Sequence, residues 1–194
     1  MGKIYCVMGK SSSGKDTVYK KLKEQYKEFR LIVPYTTRPI REGEKDGVEY
    51  YFVDPEQFRA MKEDGKVIES RSYNTNCGIW TYFTADDGQI DLSAADYLLI
   101  GTLVSYQALR EYFGVEAFVP VYLEVEDGLR LARALERERR QEKPKYAEMC
   151  RRFLADEEDF SEENLIKSGI TERFGNEDFT ECLNKIQRYI EEIR

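Results

Sequence analysis

Ile4-Tyr5-Cys6-Val7-Met8-Gly9-Lys10-Ser11-Ser12-Ser13-Gly14-Lys15-Asp16-Thr17-Val18 is the stretch that decides the fold. Its apolar start reads as a buried strand, and Val18, Leu22 and Tyr26 then recur at helical spacing, so a strand passes through a glycine-rich turn into a helix. The turn matches G-x-x-x-x-G-K in the strand-to-helix context that this phosphate-binding pattern requires. Glycines let backbone N–H groups converge on phosphate oxygens, the helix N-terminus adds its positive end, and Lys15 reaches the β- and γ-phosphates. The candidate ATP-phosphate loop is therefore Gly9, Lys10, Ser11, Ser12, Ser13, Gly14, Lys15, Asp16 and Thr17. Where the pattern ordinarily closes on a Ser or Thr that ligates Mg²⁺, this chain has Asp16 and then Thr17. Either side chain offers an oxygen ligand, and Asp16 is also a favourable acid in the first turn of a helix.

Further strand-like runs near 31–35, 97–101 and 118–125 are separated by helical segments, an alternation that predicts an α/β fold with a parallel sheet. Phe179, Cys182, Leu183, Ile186 and Ile190 predict a closing amphipathic helix. Between about 36 and 90 the alternation breaks into short pieces such as Val48 to Val53, which predict an antiparallel excursion inserted into one domain. One helix near 55–64 punctuates it, with Asp54 as cap, Pro55 in the first turn, Gln57 completing a capping box and Gly65 after the end.

Composition narrows the chemistry. The chain has 194 residues, 41% of them hydrophobic and 35% charged, with a formal net charge of −7. Those values suit a soluble protein, and no stretch reads as a membrane span or signal-peptide core, so a cytoplasmic setting without nucleic-acid or membrane partners is expected. Cys6, Cys77, Cys150 and Cys182 lack C-x-x-C spacing and read as reduced thiols rather than a zinc site or a disulfide framework. With no histidine, serine–histidine and cysteine–histidine mechanisms are excluded, whereas phosphoryl transfer by positioning and charge neutralisation is open.

Tyr35-Thr36-Thr37-Arg38-Pro39-Ile40-Arg41-Glu42-Gly43-Glu44-Lys45-Asp46-Gly47-Val48-Glu49-Tyr50-Tyr51-Phe52 closely resembles the guanylate kinase signature T-T-R-x-x-R-x-G-E-x-x-G-x-x-Y-x-F. The phosphate loop, Gly65-Lys66-Val67-Ile68-Glu69 and an arginine-rich segment follow in the order of that family. The resemblance implies a three-layer α/β/α P-loop NTPase fold with a central parallel sheet. It implies one domain over 1–194, with a core near 1–35, 91–125 and 160–194, a mixed or antiparallel monophosphate-binding insertion near 36–90, and a helical lid near 126–159. The implied activity is ATP-dependent, Mg²⁺-assisted phosphorylation of GMP or dGMP. Arg38, Arg41 and Tyr50 would hold the acceptor phosphate, a task for which guanidinium forks and a phenol are suited. Glu69 would accept from the guanine N1–H and 2-amino group. The family's Y-G-T element is best matched by Tyr82-Phe83-Thr84, although an ungapped register places Cys77 at the tyrosine position.

Arg130, Arg133, Arg137 and Arg140 fall three, four and three residues apart, one face of a helix. By resemblance Arg133, Arg137 and Arg152 would join Lys15 and Arg38 in catalysis, and Asn176 would contact adenine. Two departures touch base recognition: Pro34 stands where the family has a serine, and the family's D-x-D acids are replaced within Ile100-Gly101-Thr102-Leu103. A kinase for another acceptor, such as a different nucleoside monophosphate or a ribose bisphosphate, is the alternative that Asp16 favours. A non-catalytic guanylate-kinase-like interaction module is a third reading, against which stands the retained Lys15.

Overall fold

The computed structural model describes residues 1–75 and 78–194; Cys77, the ungapped alternative to Tyr82, lies outside the described residues. In chain order the elements are β1 (Ile4–Gly9), α1 (Lys15–Gln25), β2 (Arg30–Leu31), β3 (Tyr35–Thr36), β4 (Tyr51–Phe52), α2 (Pro55–Glu63), β5 (Val67–Thr75) and β6 (Gly78–Ala85). There follow β7 (Tyr97–Ile100), α3 (Leu103–Phe113), β8 (Phe118–Glu124), α4 (Asp127–Arg139), α5 (Tyr146–Asp159), α6 (Glu162–Lys167), β9 (Arg173–Gly175) and α7 (Phe179–Ile193). The larger sheet has the order β2-β7-β1-β8-β9, and the smaller one β4-β3-β6-β5. β2 and β7 pair in parallel, as do β8 and β9, so the expected α/β architecture with a parallel sheet is present. Every residue of β1 is buried, as suits a strand covered on both faces.

The run 31–35 is not one strand. Arg30–Leu31 joins β7, whereas Tyr35–Thr36 belongs to the smaller sheet. Pro34 has no N–H to give a ladder, and the Val33 N–H donates to the Gln89 side chain at 2.9 Å, so the chain leaves one sheet before entering the other. The run Val48 to Val53 likewise shrinks to β4, which runs parallel to β3, while β3–β6 and β5–β6 are antiparallel. The excursion is therefore a mixed sheet. Its helix α2 carries the expected capping box: Asp54 accepts from the Gln57 N–H at 2.7 Å, and the Gln57 side chain accepts from the Asp54 N–H at 2.9 Å.

The chain divides into two compact units. The first comprises 1–4, 28–99 and 104–118. One face of its mixed sheet is apolar: Phe83 stacks on Tyr35 at 5.0 Å and meets Phe58 of α2 at 4.8 Å between ring centres. The second comprises 5–27, 100–103 and 119–194. Val18 and Leu22 of α1, Val121 and Leu123 of β8, and Cys182, Ile186 and Ile190 of α7 form its buried core. The cysteine thiols Cys6 and Cys182 are buried and Cys150 is exposed, and none of these three is in a disulfide.

Candidate functional site

In the second unit the β1–α1 turn has the conformation that its glycines permit. Gly14 sits at φ +88° as the residue capping α1, in the left-handed region that costs a side-chain-bearing residue. A Cβ on Gly14 would come within 2.4 Å of the Asn176 amide nitrogen, and one on Gly9 within 2.7 Å of the Leu123 carbonyl oxygen. Ser12 takes φ +63° without being glycine, local strain of the kind that clusters at ligand-binding loops. Lys15 places its ammonium 3.6 Å from the Asp16 carboxylate. Asp16 and Thr17 are both exposed at the start of α1.

Several side chains grip the turn from outside. Asn176 donates from its amide to the Ser13 carbonyl at 2.7 Å, and Arg133 donates to the Asn176 carbonyl at 2.9 Å. The Asn176 amide nitrogen thus serves the loop itself, a contact that the sequence does not announce. Asp156 of α5 accepts from the Ser11 N–H at 2.7 Å, Arg130 of α4 donates to the Ser11 carbonyl at 3.3 Å, and Lys10 donates to Glu157 at 2.7 Å. Arg130 also pairs with Glu157 and with Asp127, and its guanidinium lies 4.6 Å from the Phe153 ring. Hydrogen bonding by Arg130 holds the Asp127 carboxyl below its usual range.

The four arginines at helical spacing separate in role. Arg130 is only 1% exposed, Arg133 is half-buried against Asn176, and Arg137 and Arg140 face solvent. Arg140 pairs with Glu136. Arg152 donates to Glu148 at 2.8 Å, a carboxylate that Arg151 also holds. Arg151 first, then Arg152, draws the Glu148 carboxyl down to about 2.

In the first unit the polar face of the mixed sheet gathers the other candidates. Alternation along β6 puts Tyr82 and Thr84 opposite to Phe83, and the register sets Thr36 and Arg71 beside Tyr82, and Glu69 beside Thr84. Thr84 donates to Glu69 Oε1 at 2.9 Å, and Arg71 donates from Nε to Glu69 Oε2 at 3.2 Å. Glu69 is a buried carboxylate, 8% exposed, where a lone glutamate ordinarily points into water. Tyr50 meets Tyr82 edge to face at 5.6 Å, and Arg38 lies over the Tyr50 and Phe52 rings at 5.2 and 5.3 Å. Burial pushes the Tyr50 phenol up, leaving it a donor.

Arg38 is buried and forked onto Glu44 at 2.7 and 2.5 Å, with a third bond to the Pro39 carbonyl at 2.9 Å. The guanidinium is held charged chiefly by Glu44, and the Tyr82 hydroxyl adds to this. Arg38 in turn brings the Glu44 carboxyl down to about 2. Arg41 is exposed, and its backbone N–H donates to the same carboxylate at 2.9 Å. Of the sequence candidates here, Arg38, Tyr50, Tyr82, Glu69 and Thr84 share one face or its rim. Arg71 and the carboxylate cluster around Arg130 were not singled out. Strand alternation from Glu69 could have pointed to Arg71; nothing in the sequence marks Asp156 as a partner of Ser11.

Residues 1–81 match the family model described as guanylate kinase, a span that includes the glycine-rich turn, Arg38, Arg41, Tyr50 and Glu69 and stops before Tyr82. A guanylate kinase of Legionella pneumophila is 47% identical over 68 residues, 35% of this chain and 32% of that protein. One of Geobacter metallireducens is 30% identical over 128 residues, 64% of this chain and 62% of that protein. The aligned stretch thus spans about a third of the length of the first relative and under two thirds of the second. Among solved structures, the guanylate kinase of Anaplasma phagocytophilum is similar with a TM-score of 0.66 at 22% identity, covering 98% of this chain and 85% of that one, a likeness of fold.

Proposed function

We propose that the chain, whose residues 1–81 match the guanylate kinase family model, is a guanylate kinase that transfers the γ-phosphate of ATP directly onto GMP or dGMP, giving ADP and GDP or dGDP. The observation that carries this reading is the polar sheet face on which the Glu69–Thr84 pair adjoins the Arg38, Tyr50 and Tyr82 group. A buried carboxylate accepts from two adjacent ring-edge donors, which guanine has and adenine lacks. Phenols and a guanidinium donate to a dianionic phosphate and orient its oxygen as the nucleophile. Arg41 joins them from the rim.

On the donor side, the turn 9–17 cradles the ATP phosphates, Lys15 neutralises charge as it shifts toward the leaving oxygen, and Arg133, Arg137 and Arg152 stabilise the transferring group. Asn176 holds the turn and stands near the adenine end. Asp16 or Thr17, both exposed at the start of α1, would offer Mg²⁺ a hard oxygen ligand. When bound, Mg²⁺ supplies neutralisation of the β- and γ-oxygens. Transfer needs no covalent intermediate, and closure of the 126–159 segment as a lid excludes water.

The reading includes one catalytic domain with an acceptor-binding insertion, nucleotides as partners, and a cytoplasmic location. Among the described residues no helix is long and apolar enough to cross a membrane. The replacement of polar contacts at Pro34 and Gly101 to Leu103 favours one competing reading, a kinase for another acceptor. Steady-state turnover with ATP and Mg²⁺ against GMP, dGMP, AMP, CMP, UMP and ribose 1,5-bisphosphate tests both. GMP or dGMP should lead; strong preference for a non-guanine acceptor overturns the assignment.

A further inference from the structure

Arg71 stands on the polar face between Glu69 and Tyr82, and the proposed transfer gives it no task. It follows Glu69 by two residues on β5, so both side chains leave the same side of the sheet, and its cross-strand partner is Tyr82. Its Nε–H donates to Glu69 Oε2 at 3.2 Å while Thr84 occupies Oε1 at 2.9 Å. Each carboxylate oxygen is therefore pinned by a different strand, one by a charged donor on β5 and one by a hydroxyl on β6. Its positive charge also reaches Tyr50, where it favours the ionised phenol.

A carboxylate 8% exposed is costly to keep ionised without a cationic partner, and an unpinned one swings between rotamers. Arg71 answers both problems. It gives the desolvated Glu69 carboxylate an ion-pair partner and fixes it in plane, with a lone pair on each oxygen still directed away from its protein donor. Such a preorganised acceptor pair forms charge-assisted hydrogen bonds with two neighbouring N–H donors and discriminates strongly against a ligand lacking one of them. The neighbouring position Pro34 offers no side-chain donor or acceptor to share that task.

We propose that Arg71 is a positioning residue that sets base specificity, holding the Glu69 carboxylate so that it reads the ring N–H and exocyclic amine of a 2-amino-6-oxopurine. This rests on the assignment of the polar face as the acceptor site, and it predicts that Arg71 acts through Glu69 and not on the phosphate.

The test is a double-mutant cycle on the full chain, with GMP and IMP affinities read by titration calorimetry and turnover in parallel. IMP keeps the phosphate and the ring N–H and lacks only the 2-amino group. Arg71→Met, which keeps the aliphatic stem, and Arg71→Ala should weaken GMP by about 10- to 100-fold, and IMP by much less. The KM for ATP should stay within about twofold, because a ground-state base contact is uniform binding. Arg71→Lys should recover part of the GMP affinity through its single charged donor. In a Glu69→Gln background, removing Arg71 should cost little, because its partner is already neutral. If Arg71→Met weakens GMP and IMP equally, or costs the same with Gln at position 69, the guanidinium serves the phosphate and the proposal falls. If the wild-type chain shows no preference for GMP over AMP, the acceptor reading itself falls and takes this proposal with it.

Discussion

Arg38 and Glu44 face each other through two hydrogen bonds, NH1 to Oε2 at 2.7 Å and NH2 to Oε1 at 2.5 Å, with the arginine side chain 3% exposed and the glutamate 18%. A buried guanidinium that loses its carboxylate keeps its desolvation cost, so Glu44→Gln should lower unfolding free energy by about 1–3 kcal/mol at neutral pH. The pH dependence follows from the depressed carboxyl, about 2 against an ordinary 4.5. The stabilisation is fully present above the ordinary value and disappears as pH falls from there through about 2. Urea unfolding of wild type and variant should therefore differ most at pH 6–7 and converge towards pH 2. A difference that stays constant down to acid pH would show that the charge of Glu44 does not matter.

Lys15 is the one side chain of the turn that carries charge to the transferred group in the proposed reaction. Its near neighbour Asp16, 3.6 Å away and exposed, leaves it available to an incoming phosphate. Lys15→Ala should reduce kcat by about 10²–10³-fold or more and leave GMP affinity within twofold, since the acceptor residues lie elsewhere in the chain. Initial rates with ATP in excess and calorimetry with GMP alone separate the two effects. Robust turnover by the variant would sink the mechanism.

Much of this was open to sequence reasoning because it is local. The Gly9–Lys15 turn, the Asp54–Gln57 capping box and the stripe of α7 each depend on residues within a few positions of one another. Pairings across long separations were not legible. Glu69 is marked in the sequence only by the family resemblance, and its pairing with Thr84 fifteen residues away is set by the β5–β6 register. Arg130 looked like one more lid arginine because helical periodicity puts it in line with Arg133 and Arg137, whereas its burial is decided by Asp127 one turn earlier and by Glu157 on another helix. The break at Pro34 is intermediate: proline forbids a ladder bond, but only the fold reveals that Gln89 takes the preceding N–H.

Two of the three lid arginines at the proposed transfer site, Arg137 and Arg152, start from different states. Arg137 is exposed and, among the described residues, has no side-chain ion pair, while Arg152 is bonded to Glu148 at 2.8 Å. Arg137→Ala should cost under about 0.5 kcal/mol in stability, as an unpartnered surface change does. It should still lower kcat by about 10³-fold or more if the side chain meets the transferring phosphoryl group. Arg152 must exchange a carboxylate for the phosphate, so Glu148→Gln should leave Arg152 easier to recruit and lower the KM for ATP modestly. Thermal unfolding together with steady-state kinetics on both variants checks this; an unchanged kcat for Arg137→Ala would remove that residue from the reaction.

Ser11 is held at both of its backbone polar groups by the helices around it: the Arg130 guanidinium donates to its carbonyl, and its N–H donates to Asp156. Two cations, Lys10 and Arg130, are shared among Asp127, Asp156 and Glu157. Removing the buried cation leaves three carboxylates facing one lysine, and Arg130→Met should cost about 3 kcal/mol or more in unfolding free energy. Arg130→Lys should recover little, since a point charge cannot reach Ser11, Asp127 and Glu157 together as a planar fork does. Asp156→Asn keeps the shape while weakening the acceptor for the Ser11 N–H, so it should raise the KM for ATP with a smaller stability loss and little change in the KM for GMP. Denaturant titration of all three variants, with KM measured separately for each nucleotide, decides the matter. If Asp156→Asn raises both KM values equally, the cluster stabilises the unit as a whole and does not shape the phosphate loop.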